Sequence, residues 1–155
     1  PNSNYTSSLM FGIQWDLVCQ YLEVKGKLKT ANINSDSSTW GNYSNVTRII
    51  SSDKAKKSTD DGNTWTAITG TKPASSVLTT GASEETNKMN IYDFAGNEYE
   101  WTLEHATSDS RVPCACRGGV YYITGSNYPA SYRNDVSTTN SYSSYIGFRP
   151  ALYAN

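Results

Sequence analysis

Asn90–Glu104, NIYDFAGNEYEWTLE, joins a reversal of the chain to an alternating strand. Ala95-Gly96-Asn97 reads as the turn, because glycine and asparagine tolerate the left-handed backbone that tight reversals need. The next residues alternate with the period of a pleated strand. Tyr99, Trp101 and Leu103 then share one face, and Glu98 and Glu100 share the other. Two carboxylates on one strand face repel unless they are solvated, paired or bound to a cation. Downstream, Arg149 stands among apolar neighbours in Ile146–Tyr153, IGFRPALY, and is expected to pair with Glu100 or Asp93. Ile146, Phe148 and Leu152 of that segment are expected to supply core contacts.

Between these two apolar segments the composition changes. Six of the twelve tyrosines (Tyr121, Tyr122, Tyr128, Tyr132, Tyr142 and Tyr145) lie between Val120 and Tyr145, among Ser, Asn, Thr and Gly. Such a run cannot build an ordinary core, because Ser and Asn bury no apolar area and a buried tyrosine hydroxyl needs a partner. It resembles a paratope in composition: tyrosine gives large, stiff contact area, and Ser, Gly and Asn give adaptable hydrogen bonds. Recognition is therefore expected of it rather than catalysis. Most of the tyrosines should face water, with Tyr121 and Tyr153 packed against the scaffold. Val120, Tyr122 and Ile123 are apolar but stand where a core would not use them.

Upstream, Trp15, Val18, Cys19 and Leu22 fall at i, i+3, i+4 and i+7, the apolar stripe of a helix on a core, which Gly26 ends. A short helical turn is expected over Lys29–Ile33. Trp40-Gly41-Asn42-Tyr43 reads as an aromatic plug beside a turn. Asp61-Gly62-Asn63 is a tight-turn signal ahead of a short strand, Thr64–Ile68. Residues 1–8, PNSNYTSS, read as a linker, and a length of 155 residues leads to the expectation of one domain over residues 1–155.

Net charge is −1, with acids and bases interleaved and no basic stripe, which argues against a nucleic-acid partner. No apolar run approaches a membrane span, and no signal-peptide pattern is read. Ser, Thr and Asn make up about a third of the chain, yet four Trp, three Phe and twelve Tyr oppose disorder. Cys19, Cys114 and Cys116 are an odd number of cysteines and do not suggest a disulfide framework. With His105 as the one histidine, Cys114-Ala115-Cys116 is a poor zinc site.

Taken together, NIYDFAGNEYEWT (90–102), Arg117-Gly118-Gly119, Ala130-Ser131-Tyr132-Arg133 and Ile146-Gly147-Phe148-Arg149-Pro150 resemble the formylglycine-generating-enzyme-like domain. Gly12-Ile13-Gln14-Trp15-Asp16 looks like the first helix of that domain. The resemblance implies an α+β, C-type-lectin-like fold: two helices around a small twisted antiparallel sheet, with long irregular loops. The enzymes of this family hold copper with a cysteine pair a few residues after the Gly-Gly motif. Here Val120–Tyr128 contains no cysteine, and Cys114 and Cys116 precede Gly118, so a copper oxidase is disfavoured.

The closer resemblance is to the variable proteins of diversity-generating retroelements. It implies a non-catalytic, ligand-binding domain with a diversified segment over about residues 115–149, which needs no cofactor. A protein or cell-surface ligand would be its partner. A phage tail or a bacterial surface is the implied location, after synthesis in the bacterial cytoplasm, and a structural tail-decoration domain is the other alternative. By this analogy the ligand-binding positions are Ala115, Val120, Tyr122, Ile123, Tyr128, Tyr132, Asp135, Val136, Ser144 and Tyr145, with Cys116 as a further candidate. The family pattern also implies a structural calcium, with Asp93 and Glu100 binding through carboxylates and Gly96 and Glu98 through carbonyls. The competing reading pairs Glu100 with Arg149.

Overall fold

The computed structural model describes residues 4–105, 114–135 and 143–154. Its elements in chain order begin with β1 (Tyr5–Leu9), α1 (Gly12–Val24) and α2 (Thr30–Asn34), followed by short strands β2 (Lys56–Ser58), β3 (Thr66–Ala67) and β4 (Val77–Leu78). Then come β5 (Asn87–Lys88), β6 (Ile91–Tyr92), β7 (Tyr99–His105) and β8 (Cys114–Arg117). The chain closes with β9 (Arg133–Asp135), β10 (Ile146–Phe148) and β11 (Pro150–Ala154). Val136 and Tyr142 lie outside the described residues.

The central sheet has the order β10-β7-β8-β9. β7, β8 and β9 are antiparallel neighbours, but β10 runs parallel to β7, with Ile146 opposite Tyr99 and Phe148 opposite Trp101. The expectation of a wholly antiparallel sheet is thus corrected at β10. The linker reading of the first residues is also corrected, because β1 pairs antiparallel with β11 from Tyr5↔Ala154 to Leu9↔Pro150. Polar Tyr-Thr-Ser-Ser suits this position because the two-stranded ribbon is open to water on much of its surface.

α1 presents Trp15, Cys19 and Leu22 inward, as the sequence spacing requires. Trp15 stacks on Phe94 at 4.0 Å, and its indole N–H donates to the Ala130 carbonyl at 2.9 Å. The residue in left-handed geometry after the helix is Lys27 (φ 57°) rather than Gly26. Gly26 is required for closeness instead, since a Cβ there would lie 2.5 Å from the Leu22 carbonyl oxygen. Trp40 and Tyr43 are fully buried beside Trp15, Leu22 and Ile33. A second cluster gathers Val77, Tyr99, Cys116, Val120 and Tyr121, and a third lies under β2–β4.

The closing segment behaves differently from its sequence reading. Ile146 packs on the second cluster, but Phe148 and Leu152 are 67% and 70% exposed. Phe148, Pro150 and Leu152 point alternately outward, and Arg149, Ala151 and Tyr153 point inward. The inward row carries the guanidinium, so the apolar residues take the water-facing side.

Candidate functional site

The structure holds a cluster of tyrosine rings and, apart from it, an acidic cavity. After β8 the chain bends at Gly118 (φ 93°) and Gly119 (φ 79°), where a Cβ on Gly119 would lie 2.3 Å from the Tyr128 carbonyl oxygen. The bend drives Val120 back into the second cluster and leaves it fully buried. Tyr121 follows it inward and is buried as expected, with its hydroxyl donating to Asp61 Oδ1. Tyr122 then emerges at 38% exposure.

From there a chain of rings forms one patch. Tyr122 meets Tyr121 edge-on at 5.2 Å and Tyr145 edge-on at 5.5 Å. Tyr128 stacks on Tyr132 at 4.2 Å, and Tyr99 touches Tyr128 and Tyr145 at 6.0 and 6.4 Å. Ile123, Tyr128, Tyr132 and Tyr145 are half-buried in this patch, and Ser144 is exposed. Burial, then the neighbouring Tyr145, pushes the Tyr122 hydroxyl up to about 12, and burial raises Tyr99 and Tyr121 still further.

Ala115 and Val120 cannot contact a ligand, because both are fully buried, and Cys116 is buried with them. Ala115 lies on β8, opposite Asp135 of β9, in the interior of the central sheet. Val120 is there because the glycine bend turns it under the tyrosines. Tyr153 is half-buried, and its hydroxyl bonds to Gln14 and Ser8. The rings are also less open than the sequence suggested. At such exposures four of them offer on the order of 250 Å², well short of the roughly 800 Å² per side of a standard interface.

The second place is a cavity of about 260 Å³ lined by Asp93, Asn97, Glu98, Glu100, Phe148 and Arg149, among others. Arg149 settles its choice of partner here. Its Nε donates to Glu100 Oε2 at 2.9 Å, and one terminal nitrogen donates to Glu100 Oε1 at 2.7 Å and to the Tyr92 carbonyl at 3.0 Å. Asp93, in left-handed geometry, accepts the Gly81 N–H at 2.9 Å. Burial raises the carboxyls of Asp93, Glu98 and Glu100 above the usual range, although the Arg149 charge opposes the rise at Asp93 and Glu100.

As arranged, the two carboxylates read as calcium ligands have other partners: both Glu100 oxygens are engaged by Arg149, and Asp93 accepts the Gly81 N–H.

Arg117 and Arg133 brace the scaffold behind the patch. Buried Arg117 pairs with Asp16 of α1 and lies 3.7 Å from Glu104 of β7, and Arg133 of β9 reaches the same two carboxylates. Gly12 permits this, because a Cβ there would meet the Glu104 side chain at 2.4 Å. Asp61 and Trp65 were read from the sequence only as parts of a turn and a strand, yet both flank the tyrosine patch. A Cβ on Gly62 would lie 3.7 Å from the Trp65 ring and 4.0 Å from the Ser144 carbonyl oxygen. No local signal could have shown this, since about 60 and 80 residues separate these partners in sequence.

The molecule is thus a small mixed α/β domain of few helices and small sheets with long connections. The family model of the sulfatase-modifying factor enzyme 1-like domain (FGE-sulfatase) matches residues 11–154, and the chain belongs to that family. No curated protein and no solved structure matches it.

Proposed function

We propose that this domain is a non-catalytic recognition module with a C-type-lectin-like fold, whose C-terminal loops present the ligand face. The observation that supports the reading is the set of half-exposed tyrosine rings, Tyr122 against Tyr145 and Tyr128 against Tyr132, joined through buried Tyr99 and set on a braced scaffold. Tyrosine contributes area at low entropic cost, and its edge-on and stacked neighbours hold each ring in place before a ligand arrives. The reading extends to a segment of about 115–149 diversified by a retroelement, within which Tyr122, Ile123, Tyr128, Tyr132, Ser144 and Tyr145 meet the ligand. Ala115 and Val120 act as packing positions. A protein or cell-surface ligand, met from a phage tail or a bacterial surface, suits such a face.

The chemistry of the cysteines supports a non-catalytic role. The loop after Gly119 has no thiol, and burial pushes the Cys19 and Cys116 thiols up to about 12, where neither supplies thiolate at neutral pH.

The test is genetic. A near-repeat of the DNA encoding residues 115–149, differing at adenines and lying beside a reverse-transcriptase gene, is expected near this gene. Its absence, together with oxidation of a cysteine-containing peptide by the purified protein, would overturn the proposal.

A further inference from the structure

The tyrosine patch offers less area than a stable contact needs, so the fixed surface beside it becomes informative. Asp61 sits where the Asp60–Asn63 turn meets the patch. Its Oδ1 accepts the Tyr121 hydroxyl, and no described lysine or arginine pairs with it. From Tyr121 the rings continue to Tyr122, edge-on at 5.2 Å, and then to Tyr145 at 5.5 Å, while the indole of Trp65, 38% exposed, lies against Gly62 beside the Asp61 turn. Part-exposed aromatic rings near a carboxylate that no described lysine or arginine pairs with make an environment that attracts a cation twice, through ring quadrupoles and through charge.

We propose that Asp61, Trp65, Tyr122 and Tyr145 form a cation-binding notch at the edge of the recognition face, and that its occupant is a lysine or arginine side chain presented by a protein ligand. The inference rests on the recognition reading and deepens it. Charge complementarity selects the occupant: an anionic or purely apolar group would leave the Asp61 charge uncompensated on contact. A protein source fits because the notch adjoins Ser144 and the stacked Tyr128 and Tyr132, which give a polypeptide room to continue. Asp61 and Trp65 lie outside residues 115–149, so the notch joins a constant anchor to a variable rim. A fixed contact of this kind would let many sequences in the loops share one orientation of ligand.

The experiment follows the Trp65 indole N–H by NMR in the intact domain at constant ionic strength. It is titrated with N-acetyl-arginine methylamide, N-acetyl-lysine methylamide, the neutral N-acetyl-norleucine methylamide, and tetramethylammonium. Saturable shifts are expected with the two basic amides and not with norleucine. Asp61→Asn, which keeps an acceptor for the Tyr121 hydroxyl, should weaken them about tenfold. Trp65→Leu, followed through the Tyr122 ring signals, should weaken them about fivefold. If Asp61→Asn does not fold, the contrast between basic and neutral amides in the unmodified domain decides.

Equal shifts with norleucine, no saturable shift with either basic amide, or tetramethylammonium binding ten times more tightly than both would overturn the notch. Those outcomes leave the recognition reading standing, because the genetic test of that reading does not depend on any cation.

Discussion

The region around Asn42 and Asn97 and the tyrosine face are both built from polar side chains, and they use them in opposite ways. In the first, the polar side chains are buried and most of their hydrogen bonds go to backbone. Asn97 Oδ1 accepts from Asn42 Nδ2 at 2.8 Å and from the Leu78 N–H at 2.9 Å, and its own Nδ2 donates to the Leu78 carbonyl at 3.0 Å. Lys72, fully buried, donates to the Tyr43 and Val46 carbonyls at 2.9 and 3.2 Å, and Arg48 donates to Gly41 and Ser38.

In the tyrosine face the rings meet one another and pack on the apolar cluster of Val77, Cys116 and Val120. Hydrogen bonds to backbone fix position and identity, because a lost partner leaves a buried group unsatisfied. Ring contacts depend on area and accept substitution more readily. The first arrangement suits a frame that must not change, and the second suits a surface that can.

The sharpest way to break this contrast is at Arg149. Arg149→Met leaves Glu100 buried without its guanidinium and should cost about 3 kcal/mol or more in urea denaturation. A loss under 1 kcal/mol would mean the frame is not held by its buried polar groups. Lys72 gives a second, pH-based probe. Burial and the Arg48 charge push its amine down to about 8, against 10.5 in the unfolded chain.

Below pH 8 both states carry the proton. Between about 8 and 10.5 the unfolded chain holds at Lys72 a proton that the folded chain has released, so this group by itself adds stability as pH rises there. The Lys72 share from pH 8 to 10 should be about 2 kcal/mol, read as the stability of the unmodified domain relative to Lys72→Met at each pH. The domain as a whole should lose stability above about pH 9, because burial holds the Cys19 and Cys116 thiols up at about 12 and raises the Tyr43 and Tyr99 hydroxyls, so these groups ionise first in the unfolded chain.

Smaller effects test the other side of the comparison. Tyr128→Ala removes a stacked, half-buried ring and should cost about 2 kcal/mol, whereas Tyr122→Ala should cost about 1 kcal/mol or less. Equal losses would show the face to be a core. Smallest of all, millimolar Ca²⁺ should move Tm by less than about 1 °C, because Arg149 already occupies Glu100. A larger, saturable rise would show Glu100 exchanging the guanidinium for a cation.

Much of the frame was legible in the residues. The stripe Trp15, Val18, Cys19, Leu22 placed α1, the alternation from Tyr99 placed β7, and the motif pattern pointed to the family. The site was legible only in part. Tyr122 and Ser144 emerge as read, but Ala115 and Val120 do not. Whether a valine after two glycines faces water depends on which way the glycines bend, and a residue free to take either sign of φ carries no such instruction in its identity.

The sequence by itself determined the periodic elements, the absence of a thiol after Gly119, and the wealth of tyrosine near the carboxyl end, because these depend on residue type and local spacing. Only the tertiary structure decided that Arg149 takes Glu100 rather than Asp93, that residues 5–9 pair with the end of the chain, and that Asp61 receives the Tyr121 hydroxyl. Those outcomes join residues some 50 to 150 positions apart, and contacts at that range are set by how the whole chain closes rather than by any pattern within reach of a local reading.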